Sequence, residues 1–466
     1  MAPSTGGYDV LVLGAGPAGI AAAVHAAELG ARVAVAERGR VGGMCVNTGC
    51  VPTRVLAKTA RLMRDVRAAG AYGVAVDDPV LVWERTVARV RQVTEDVLAS
   101  KRTAEALASA GVDLYLEGAA RFVDPHRVTL AGSDRTLSAG AVIVCVGGRP
   151  GRLPVPGGTL AVTAEQVLDL ERLPSTVAIV GSGHTGVQLA TVFRAFGAEV
   201  ALLEARPRIL PGADAAVAAC LSEAFEQQGI LVQTGIGGVE RIEPAPADGR
   251  RRLTYRLDGR AHVLDADTVV ACVGWPAAAA ELGLDAAGVV VADGRIPVDA
   301  YLQSNVAHIY VAGDANGGPM LAQAARFEAE VAATNAVRGP SRRVSHALLP
   351  WGGFTDPDIA GVGLTTAEAR QREPDCRVAS VPYRELERAV IDNRTTGFLT
   401  LVANRQRSLL LGAHAAGEGA VEVVQAVAAA MAAGADVATL ASVEYAYPTY
   451  GAIIGEAAGR LLRAPP

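Results

Sequence analysis

The chain has 466 residues, of which 50% are hydrophobic, 4% are aromatic and 20% are charged, and its formal net charge is −5 at pH 7. This length exceeds what one hydrophobic core holds and predicts two to four domains. The mild negative charge and the scarcity of aromatic residues argue against a nucleic-acid partner, which needs a basic surface or a stacking platform.

Neither end of the chain indicates export or membrane insertion. The first ten residues, MAPSTGGYDV, lack the basic and apolar regions of a signal peptide. The best candidate for a membrane span, 421–434, is short, alanine-rich and interrupted by Glu422 and Gln425, so we predict a buried helix there. Six cysteines are too few for a secreted disulfide scaffold. These features predict a cytoplasmic protein with no membrane partner.

The first predicted elements are a strand (YDVLVL, 8–13), a glycine-rich turn (GAGPAG), a helix and a second strand (RVAVAE, 32–37). In a dinucleotide-binding unit the first glycine makes the tight turn, the second lets backbone approach a pyrophosphate, and the third packs helix on strand. The acid that ends the second strand then binds a ribose hydroxyl. The residues that fit these four roles are Gly14, Gly16, Gly19 and Glu37.

Two cysteines five residues apart, Cys45 and Cys50, follow directly in GGMCVNTGCVPT (42–53). A structural disulfide is disfavoured in a reducing compartment, and a metal site needs more ligands than two thiols, with no His/Cys cluster nearby. The pair precedes a predicted helix, whose N-terminus lowers a thiol pKa. We therefore predict a redox-active pair and no metal.

The strand–turn–helix–strand pattern occurs a second time from residue 176, with TVAIV, GSGHTG and EVALLE (199–204). In both copies the acidic residue follows the first glycine by 23 positions. Two such units predict two dinucleotides, most simply one flavin and one nicotinamide. The residues of the second pattern are Gly181, Gly183, Gly186 and Glu204.

The second unit carries evidence on both sides of the choice between NADH and NADPH. Glu204 favours NADH, because a 2′-phosphate would face its carboxylate. Arg206 and Arg208 lie just beyond and leave NADPH as the alternative.

Cys145 and Cys272, in VIVCVGG and VVACVG, are predicted to be small core residues within strands. Further motifs lie at 142–150 (VIVCVGGRP), 309–315 (IYVAGDA), 354–365 (FTDPDIAGVGLT) and 447–449 (YPT). With the glycine turns and the cysteine segment, they resemble the pyridine nucleotide–disulfide oxidoreductases, such as dihydrolipoamide dehydrogenase, glutathione reductase and mercuric reductase. The resemblance covers nearly the whole chain. It implies an α/β fold with two Rossmann-like domains, for FAD and NAD, and a C-terminal α+β dimerisation domain. The implied partition is an FAD domain at 1–150 and 275–342, a NAD(P) domain at 151–274, and an interface domain at 343–466.

The resemblance also implies roles for individual residues. Cys50 would be the thiolate that faces the flavin, and Cys45 the thiol that attacks the substrate. The further residues at the two cofactors would be Gly43 and Met44 at the FAD pyrophosphate, Ala120 at the adenine, Asp314 at the ribityl chain, Ala322 and Arg54 near the flavin ring, and Gly274 at the nicotinamide nucleotide. The family is typically a homodimer whose partner completes each active site, and the apolar segment 410–466 suits such an interface.

The chain departs from this family where the thiol chemistry occurs. Tyr447 stands where the family has an acid–base histidine, and Ala452 where it has the glutamate that orients that histidine. A phenol is a poor base at neutral pH, so Tyr447 is either a substitute catalytic group or a packing residue at the dimer interface. Arg54 and Gln188 replace a Lys–Glu pair, and His184 replaces an aromatic residue that shields the flavin.

The leading hypothesis is an FAD-dependent, NAD(P)H-driven oxidoreductase in which Cys45 and Cys50 pass electrons to a disulfide, a reactive sulfur species or a thiol-bound metal. One alternative is a diaphorase-type enzyme whose flavin reduces a quinone directly. A mercuric reductase-like enzyme is another, although no cysteine follows Cys376. A non-catalytic partner or redox sensor is a third.

Overall fold

The computed structural model describes residues 7–246, 249–406 and 408–463. The strands are β1 Tyr8–Leu13, β2 Val33–Ala36, β3 Asp113–Tyr115, β4 Ala120–Asp124, β5 Arg127–Leu130, β6 Thr136–Val144, β7 Val162–Thr163, β8 Thr176–Val180, β9 Glu199–Leu203, β10 Leu231–Gln233, β11 Gly238–Pro244, β12 Arg251–Leu257, β13 Arg260–Ala266, β14 Thr268–Ala271, β15 Ile309–Val311, β16 Trp351–Gly353, β17 Ile359–Gly363, β18 Arg377–Pro382, β19 Phe398–Ala403 and β20 Leu410–Ala416. The helices are α1 Pro17–Glu28, α2 Gly43–Asn47, α3 Cys50–Ala68, α4 Trp83–Lys101, α5 Thr103–Ser109, α6 His184–Ala195, α7 Ala215–Gln227, α8 Ala322–Arg338, α9 Thr366–Arg372, α10 Glu387–Ile391, α11 Ala420–Ala432, α12 Val437–Ser442 and α13 Ile453–Arg463.

The chain forms two compact units. The first runs up to Val55 and includes Glu84–Gly151 and Gly274–Ser345. The second includes Leu56–Trp83, Arg152–Val273 and the chain from His346 onward. Residues 1–6, in which we expect no signal peptide, and 464–466, at the end of the predicted interface domain, lie outside the described residues. The finer partition into three domains stays a prediction.

The first unit is built on a seven-stranded sheet in which β3, β2, β1, β6 and β15 run parallel, and β4 and β5 extend the edge antiparallel. The strand β1 is buried from Val10 to Leu13, and each fully buried Val or Leu contributes about 1.5–3 kcal/mol. Alanines of α1 and α8 share one core with β1, because their short side chains let the two helices approach closely. This packing fixes the N-terminus of α1 at the carboxyl end of β1.

The second unit contains another parallel sheet, of order β10-β9-β8-β14-β7, and an antiparallel sheet of order β11-β12-β13. Helix α6 follows β8 and packs against β8 and β9. In the first unit, helix α1 follows β1 and packs against β1 and β2 in the same way. The register pairs Val177 with Val200 and Ile179 with Leu202, so the apolar residues face one another across the strands. The two predicted dinucleotide-binding units are therefore present, which confirms the α/β, two-Rossmann fold class.

The C-terminal part of the second unit is a five-stranded antiparallel sheet, of order β16-β17-β20-β19-β18. The segment 421–434, predicted to be a buried helix, is mostly α11, and its Val423, Val424 and Val427 are buried against this sheet. No helix among the described residues is long and apolar enough to span a membrane. Most apolar side chains of 410–463 pack into this core, and the expected interface of the segment 410–466 stays a prediction.

An ion-pair cluster joins α3 to the C-terminal sheet and explains the motif at 354–365. Its members are Arg61, Arg64, Arg394, Asp356, Asp358 and Glu418. Arg61 contacts Asp358 at 2.8 Å, and the side chain of Asp358 is only 2% exposed. Burial raises the pKa of Asp358 to about 6, although Arg61 opposes that shift. Three cations and three carboxylates balance, so this buried charge is compensated.

Two cysteines predicted to lie within strands lie one residue past them. β6 ends at Val144 and β14 ends at Ala271, so Cys145 and Cys272 begin the following loops. The strands stop because the carbonyl oxygens of these two residues face the glycine turns. Cys145 is buried and Cys272 is partly buried, and desolvation raises the pKa of both thiols.

Candidate functional site

The first glycine turn has the backbone geometry that its motif predicts. Gly14 has φ +103°, and a Cβ there would lie 2.5 Å from the carbonyl oxygen of Cys145. A Cβ on Gly19 would lie 1.8 Å from the carbonyl oxygen of Gly14. Only glycine fits at either position, so the turn brings the N-terminus of α1 to the sheet edge.

The acid of the first unit is held by two backbone groups. The Ala15 N–H donates to Glu37 Oε2 over 2.7 Å, and the Gly39 N–H donates to Oε1 over 2.8 Å. A cleft beside this carboxylate is lined by Gly14, Glu37 and Ala120, three predicted FAD residues, together with other residues of the first unit. The arrangement offers carboxylate acceptors next to an apolar slot, which suits an adenosine group.

The second glycine of the turn lies against the loop that carries the cysteines. Gly43 has φ +58°, and a Cβ on Gly43 would lie only 2.7 Å from the Cα of Gly16. Met44 follows Gly43 on the short helix α2. The loop and the α1 N-terminus therefore form a close backbone cradle, and the predicted pyrophosphate residues Gly16, Gly43 and Met44 share it.

The remaining FAD candidates of the first unit lie around α8. Asp314 opens a short turn after β15, where burial and the nearby charge of Glu328 raise its pKa. Glu328 Oε2 accepts bonds from the Gly313 N–H at 2.8 Å and from Asn316 Nδ2 at 2.7 Å, which fixes this turn. Ala322 is the first residue of α8. The glycine cradle, the acid at β2 and this fixed turn together fit an FAD molecule.

The two predicted redox cysteines are neighbours in the fold. Cys45 lies on α2, and Cys50 is the first residue of α3. The Cys45 thiol donates a hydrogen bond to the Cys50 sulfur, which lowers the pKa of Cys50 to about 7 and raises that of Cys45. Burial and the carboxylate of Asp314 act against the Cys50 thiolate without cancelling this effect. The single negative charge of the reduced pair therefore belongs on Cys50 near neutral pH.

Two basic residues are associated with this cysteine pair: Arg54 is close to it in the sequence, and Lys101 acts on it through its charge. Arg54, predicted to lie near the flavin, is exposed on α3 one turn after Cys50. Lys101, which the sequence analysis missed, carries a charge that lowers the pKa of the Cys45 thiol. Its sequence signal is its rarity, because only Lys58 and Lys101 are lysines among the 43 basic residues.

The second glycine turn repeats the first closely. A Cβ on Gly181 would lie 2.2 Å from the Cys272 carbonyl oxygen, and one on Gly186 would lie 1.9 Å from the Gly181 carbonyl oxygen. Nothing lies within 4 Å of a Cβ built on Gly183. The backbone before α6 is therefore shaped as predicted, and no protein atom crowds its middle glycine.

Glu204 is held more tightly than its counterpart Glu37. It accepts bonds from the Ser182 N–H at 2.9 Å, the Ser182 hydroxyl at 2.6 Å and the Arg206 N–H at 2.8 Å. Arg208, a candidate for binding a 2′-phosphate, donates instead to the carbonyl oxygens of Pro211 and Ala213. Ser182 was not predicted, although its place between the first two glycines of the turn is its sequence signal.

His184, at the start of α6, stacks on Trp351, with ring centroids 5.0 Å apart. Burial lowers the pKa of His184, so the imidazole is neutral at pH 7. Gln188 donates to the His184 carbonyl oxygen and accepts from the Phe354 N–H, so it belongs to the same part of the second unit. No local pattern in the sequence indicates the Trp351 contact, because the two residues are far apart along the chain.

The structure places the other two predicted residues in different units. Gly274 has φ +99°, and its carbonyl oxygen accepts a hydrogen bond from the Gly151 N–H within the first unit. Tyr447 belongs to the second unit, precedes a cis peptide bond to Pro448, and is 78% exposed. Within the described parts of the chain, no group of three or more His, Cys, Asp or Glu side chains is arranged to hold a metal ion.

Comparison with known families agrees with this geometry. Residues 8–329 match the pyridine nucleotide-disulphide oxidoreductase model, and residues 349–458 match the dimerisation domain of the same family. The chain belongs to the pyridine nucleotide–disulfide oxidoreductase family. Members are enzymes that use FAD and NAD(P)H, which confirms the predicted family, enzyme class and cofactors.

Individual relatives cover almost the whole chain. It is 31% identical to a dihydrolipoyl dehydrogenase of Geobacillus stearothermophilus, over 98% of this chain and 97% of that protein. It is 31% identical to a mercuric reductase of Staphylococcus aureus, over 90% of this chain and 76% of that protein. Among solved structures it resembles LpdA of Mycobacterium tuberculosis, with TM-score 0.87 and 26% identity over 97% of this chain and 99% of that one. It also resembles the HOCl-induced flavoprotein disulfide reductase RclA of Escherichia coli, with TM-score 0.84, 25% identity and the same coverage.

Proposed function

We propose that this protein is an NADH-dependent flavoprotein disulfide reductase in which the Cys45–Cys50 pair reduces an activated disulfide, a reactive sulfur species or a thiol-bound metal ion. The observation that carries the proposal is the placement of the two thiols, Cys45 on α2 and Cys50 at the N-terminus of α3, where Cys45 lowers the pKa of Cys50 to about 7. FAD, when bound, supplies a two-electron centre between the nicotinamide and the dithiol.

The chain's own residues have separate tasks in this scheme. The cradle of Gly16 and Gly43 and the carboxylate of Glu37 hold the FAD diphosphate and ribose. Cys50, at the N-terminus of α3, keeps the thiolate that the helix dipole favours. Cys45 retains its proton until it attacks the acceptor, since the Cys45 thiol is the donor in the pair.

The nature of the acceptor follows from the residues at the C-terminal motif. Tyr447 and Ala452 supply neither the base nor the orienting carboxylate that an alkyl disulfide needs for protonation of its leaving thiolate. An acceptor whose leaving group is a weak base needs less help of this kind. Aromatic disulfides, polysulfides and thiol-bound metals meet this requirement, and Tyr447 then serves as a hydrogen-bond donor or an interface residue.

Glu204 and Arg208 support NADH as the electron donor. The Glu204 carboxylate is fixed by Ser182 and by backbone, so a 2′-phosphate would meet a negative charge that does not move away. The Arg208 guanidinium already donates to two carbonyl oxygens. The proposal includes a homodimer, because the match to the family's dimerisation domain supports one, and a cytoplasmic location where NADH is present.

An anaerobic titration of the holoenzyme with NADH tests the proposal. We expect a long-wavelength band, typical of a thiolate against oxidised flavin, at two electrons per flavin. Because the pKa of Cys50 is about 7, the band should be strong above pH 7 and fade as the pH drops through 7.

The control for this titration is a pair of cysteine variants. C45S and C50S should each abolish reduction of an aromatic disulfide while NADH still reduces the flavin. Full turnover in both variants would contradict the proposal.

A second candidate is a diaphorase in which the flavin reduces a quinone directly. The exposed Tyr447 and the missing acid–base dyad favour it, since electron transfer to a quinone does not depend on them. Quinone reduction that exceeds disulfide reduction and survives C45S and C50S would establish this function.

A further inference from the structure

Helix α4 runs along the loop that carries Cys45: Glu95 and Leu98 contact that loop, and Lys101 is the next position on the same helix face. Arg40 forms an ion pair with Glu95. A Cβ on Gly42 would lie 3.0 Å from Leu98 Cδ2, so Leu98 is packed on the loop backbone. One turn further, the charge of Lys101 acts on the Cys45 thiol. Positions 95, 98 and 101 share one face because residues three apart are neighbours on a helix.

Lys101 is the last residue of α4, and the chain turns sharply immediately after it. Arg102 has φ +45°, a left-handed conformation that ends the helix before α5 begins. Because of this turn, the residues after Lys101 belong to α5 and do not continue the helix face of α4. Lys101 therefore stays on the face that meets the cysteine loop.

The cations on either side of Lys101 are neutralised, whereas Lys101 is not. Arg40 pairs with Glu95, and Arg102 pairs with Glu105. No acidic partner of Lys101 is found in residues 7–246, 249–406 and 408–463. The other groups whose charge acts on Cys45 are the Cys50 sulfur and the carboxylate of Asp314, and both disfavour a second negative charge there. Lys101 is thus the group that offsets them.

We propose that Lys101 is a positioning residue that holds an uncompensated positive charge against the attacking thiol Cys45 and its departing acceptor. The proposal rests on the function proposed above for the Cys45–Cys50 pair. In this proposal, Lys101 at the end of α4 stabilises the negative charge of the thiol chemistry, a task that the family gives to a C-terminal histidine.

The reaction that Lys101 supports is balanced by the dithiol alone. Cys45 releases its proton to water as its sulfur attacks one sulfur of the acceptor disulfide, so a Cys45–acceptor bond forms and the acceptor S–S bond breaks. The first leaving thiolate takes its proton from water. The Cys50 thiolate then attacks the Cys45 sulfur, the Cys45–Cys50 disulfide re-forms, and the second acceptor thiolate departs. The dithiol loses two electrons and the acceptor gains them. Each step places negative charge beside Cys45, where a cation stabilises it.

The test compares three variants of the holoenzyme. K101M removes the charge at nearly constant length, and K101R keeps the charge. K58M is the matched control, because Lys58 is the other lysine of the chain and is exposed on α3 in the second unit. Each protein is reduced with a phosphine, alkylated with iodoacetamide over the range of about pH 5 to 10, and mapped by peptide mass spectrometry for Cys45.

The pKa of Cys45 is raised, so its thiol stays largely protonated over this range, and we expect K101M to slow Cys45 alkylation about three- to tenfold at each pH. NADH-dependent reduction of an aromatic disulfide should fall about five- to tenfold in K101M and stay within about twofold of wild type in K101R and K58M. A K101M profile that overlays the wild type would overturn the proposal. Equal loss in K101R and K101M would overturn it as well, since the charge would then not be the cause.

The phosphine separates this proposal from the proposed function. It reduces the disulfide without NADH or flavin, so the pH profile reports the charge at Cys45 even if NADH never reduces the pair. Suppose that NADH cannot reduce the cysteine pair of the wild-type protein, but K101M still changes the alkylation profile of Cys45. That result would contradict the proposed function and support the electrostatic role of Lys101.

Discussion

The two glycine-rich turns share one backbone plan and differ in what covers them. In both turns, a Cβ on the first glycine would meet the carbonyl oxygen of a cysteine, and a Cβ on the third glycine would meet the carbonyl oxygen of the first glycine. In the first turn, the loop of Gly43 lies over Gly16, whereas nothing lies within 4 Å of a Cβ at Gly183. A cofactor held under a loop exchanges slowly, and one at an open helix N-terminus exchanges readily. The difference teaches that the first site suits a resident flavin and the second a nicotinamide that enters and leaves in each cycle.

The largest effects should come from the third glycines. In G19A and G186A the new Cβ meets a backbone oxygen at 1.8 Å and 1.9 Å, so helix and turn must separate. We expect G19A to be purified with less than about a tenth of the wild-type flavin, and G186A to keep its flavin while its KM for NADH rises about tenfold or more. Absorbance at the flavin maximum and steady-state kinetics measure both. Flavin loss in G186A equal to that in G19A would break the assignment of one cofactor to each turn.

A smaller effect should come from the loop that covers the first turn. G43A places a Cβ 2.7 Å from the Gly16 Cα at φ +58°, so the loop must lift. We expect the flavin dissociation constant to rise about five- to tenfold and the KM for NADH to stay unchanged. G73A is the control, because Gly73 has φ +75° with no atom within 4 Å and so carries the backbone strain alone. If G73A released flavin to the same extent, loop closure would not be the reason.

The smallest effect should come from the hydroxyl that distinguishes Ser182 from Ala15. S182A removes the 2.6 Å bond to Glu204 and leaves the two backbone bonds in place. One such bond contributes about 0.5–1.5 kcal/mol, so the KM for NADH should rise about two- to fivefold. Flavin content should not change, and the preference for NADH over NADPH should narrow. An unchanged ratio of the two KM values would show that Ser182 does not hold Glu204 for discrimination.

The sequence predicts the two nucleotide-binding units well because their signals are local. The strand YDVLVL coincides with β1, and the strands that end at Glu37 and Glu204 stop one residue before each acid. The first and third glycines of each turn are required by backbone contacts that no other residue tolerates, so their spacing carries the fold. The match of residues 8–329 to the family model agrees with the presence of both nucleotide-binding units.

The contacts that tune the site could not be predicted from the sequence, because each joins distant segments. The charge of Lys101 on α4 acts on the Cys45 thiol, and Trp351 on β16 stacks on His184. Neither contact leaves a periodic pattern in the chain. The strand ends at Cys145 and Cys272 were misplaced by one residue, because the turn that stops each strand lies more than 90 residues upstream.

The placement of Cys145 and Cys272 gives the chain two built-in reporters of local opening. Each backs onto one glycine turn, and burial raises the pKa of the Cys145 thiol and raises that of Cys272 to about 12. The raised pKa keeps both thiols slow to alkylate, and Cys145 is also buried, so each should react faster when its own turn separates from its sheet. The rate of pulsed labelling at Cys145 therefore reports local opening of the first glycine turn, and the rate at Cys272 reports local opening of the second. One sample thus yields both opening rates without any added probe.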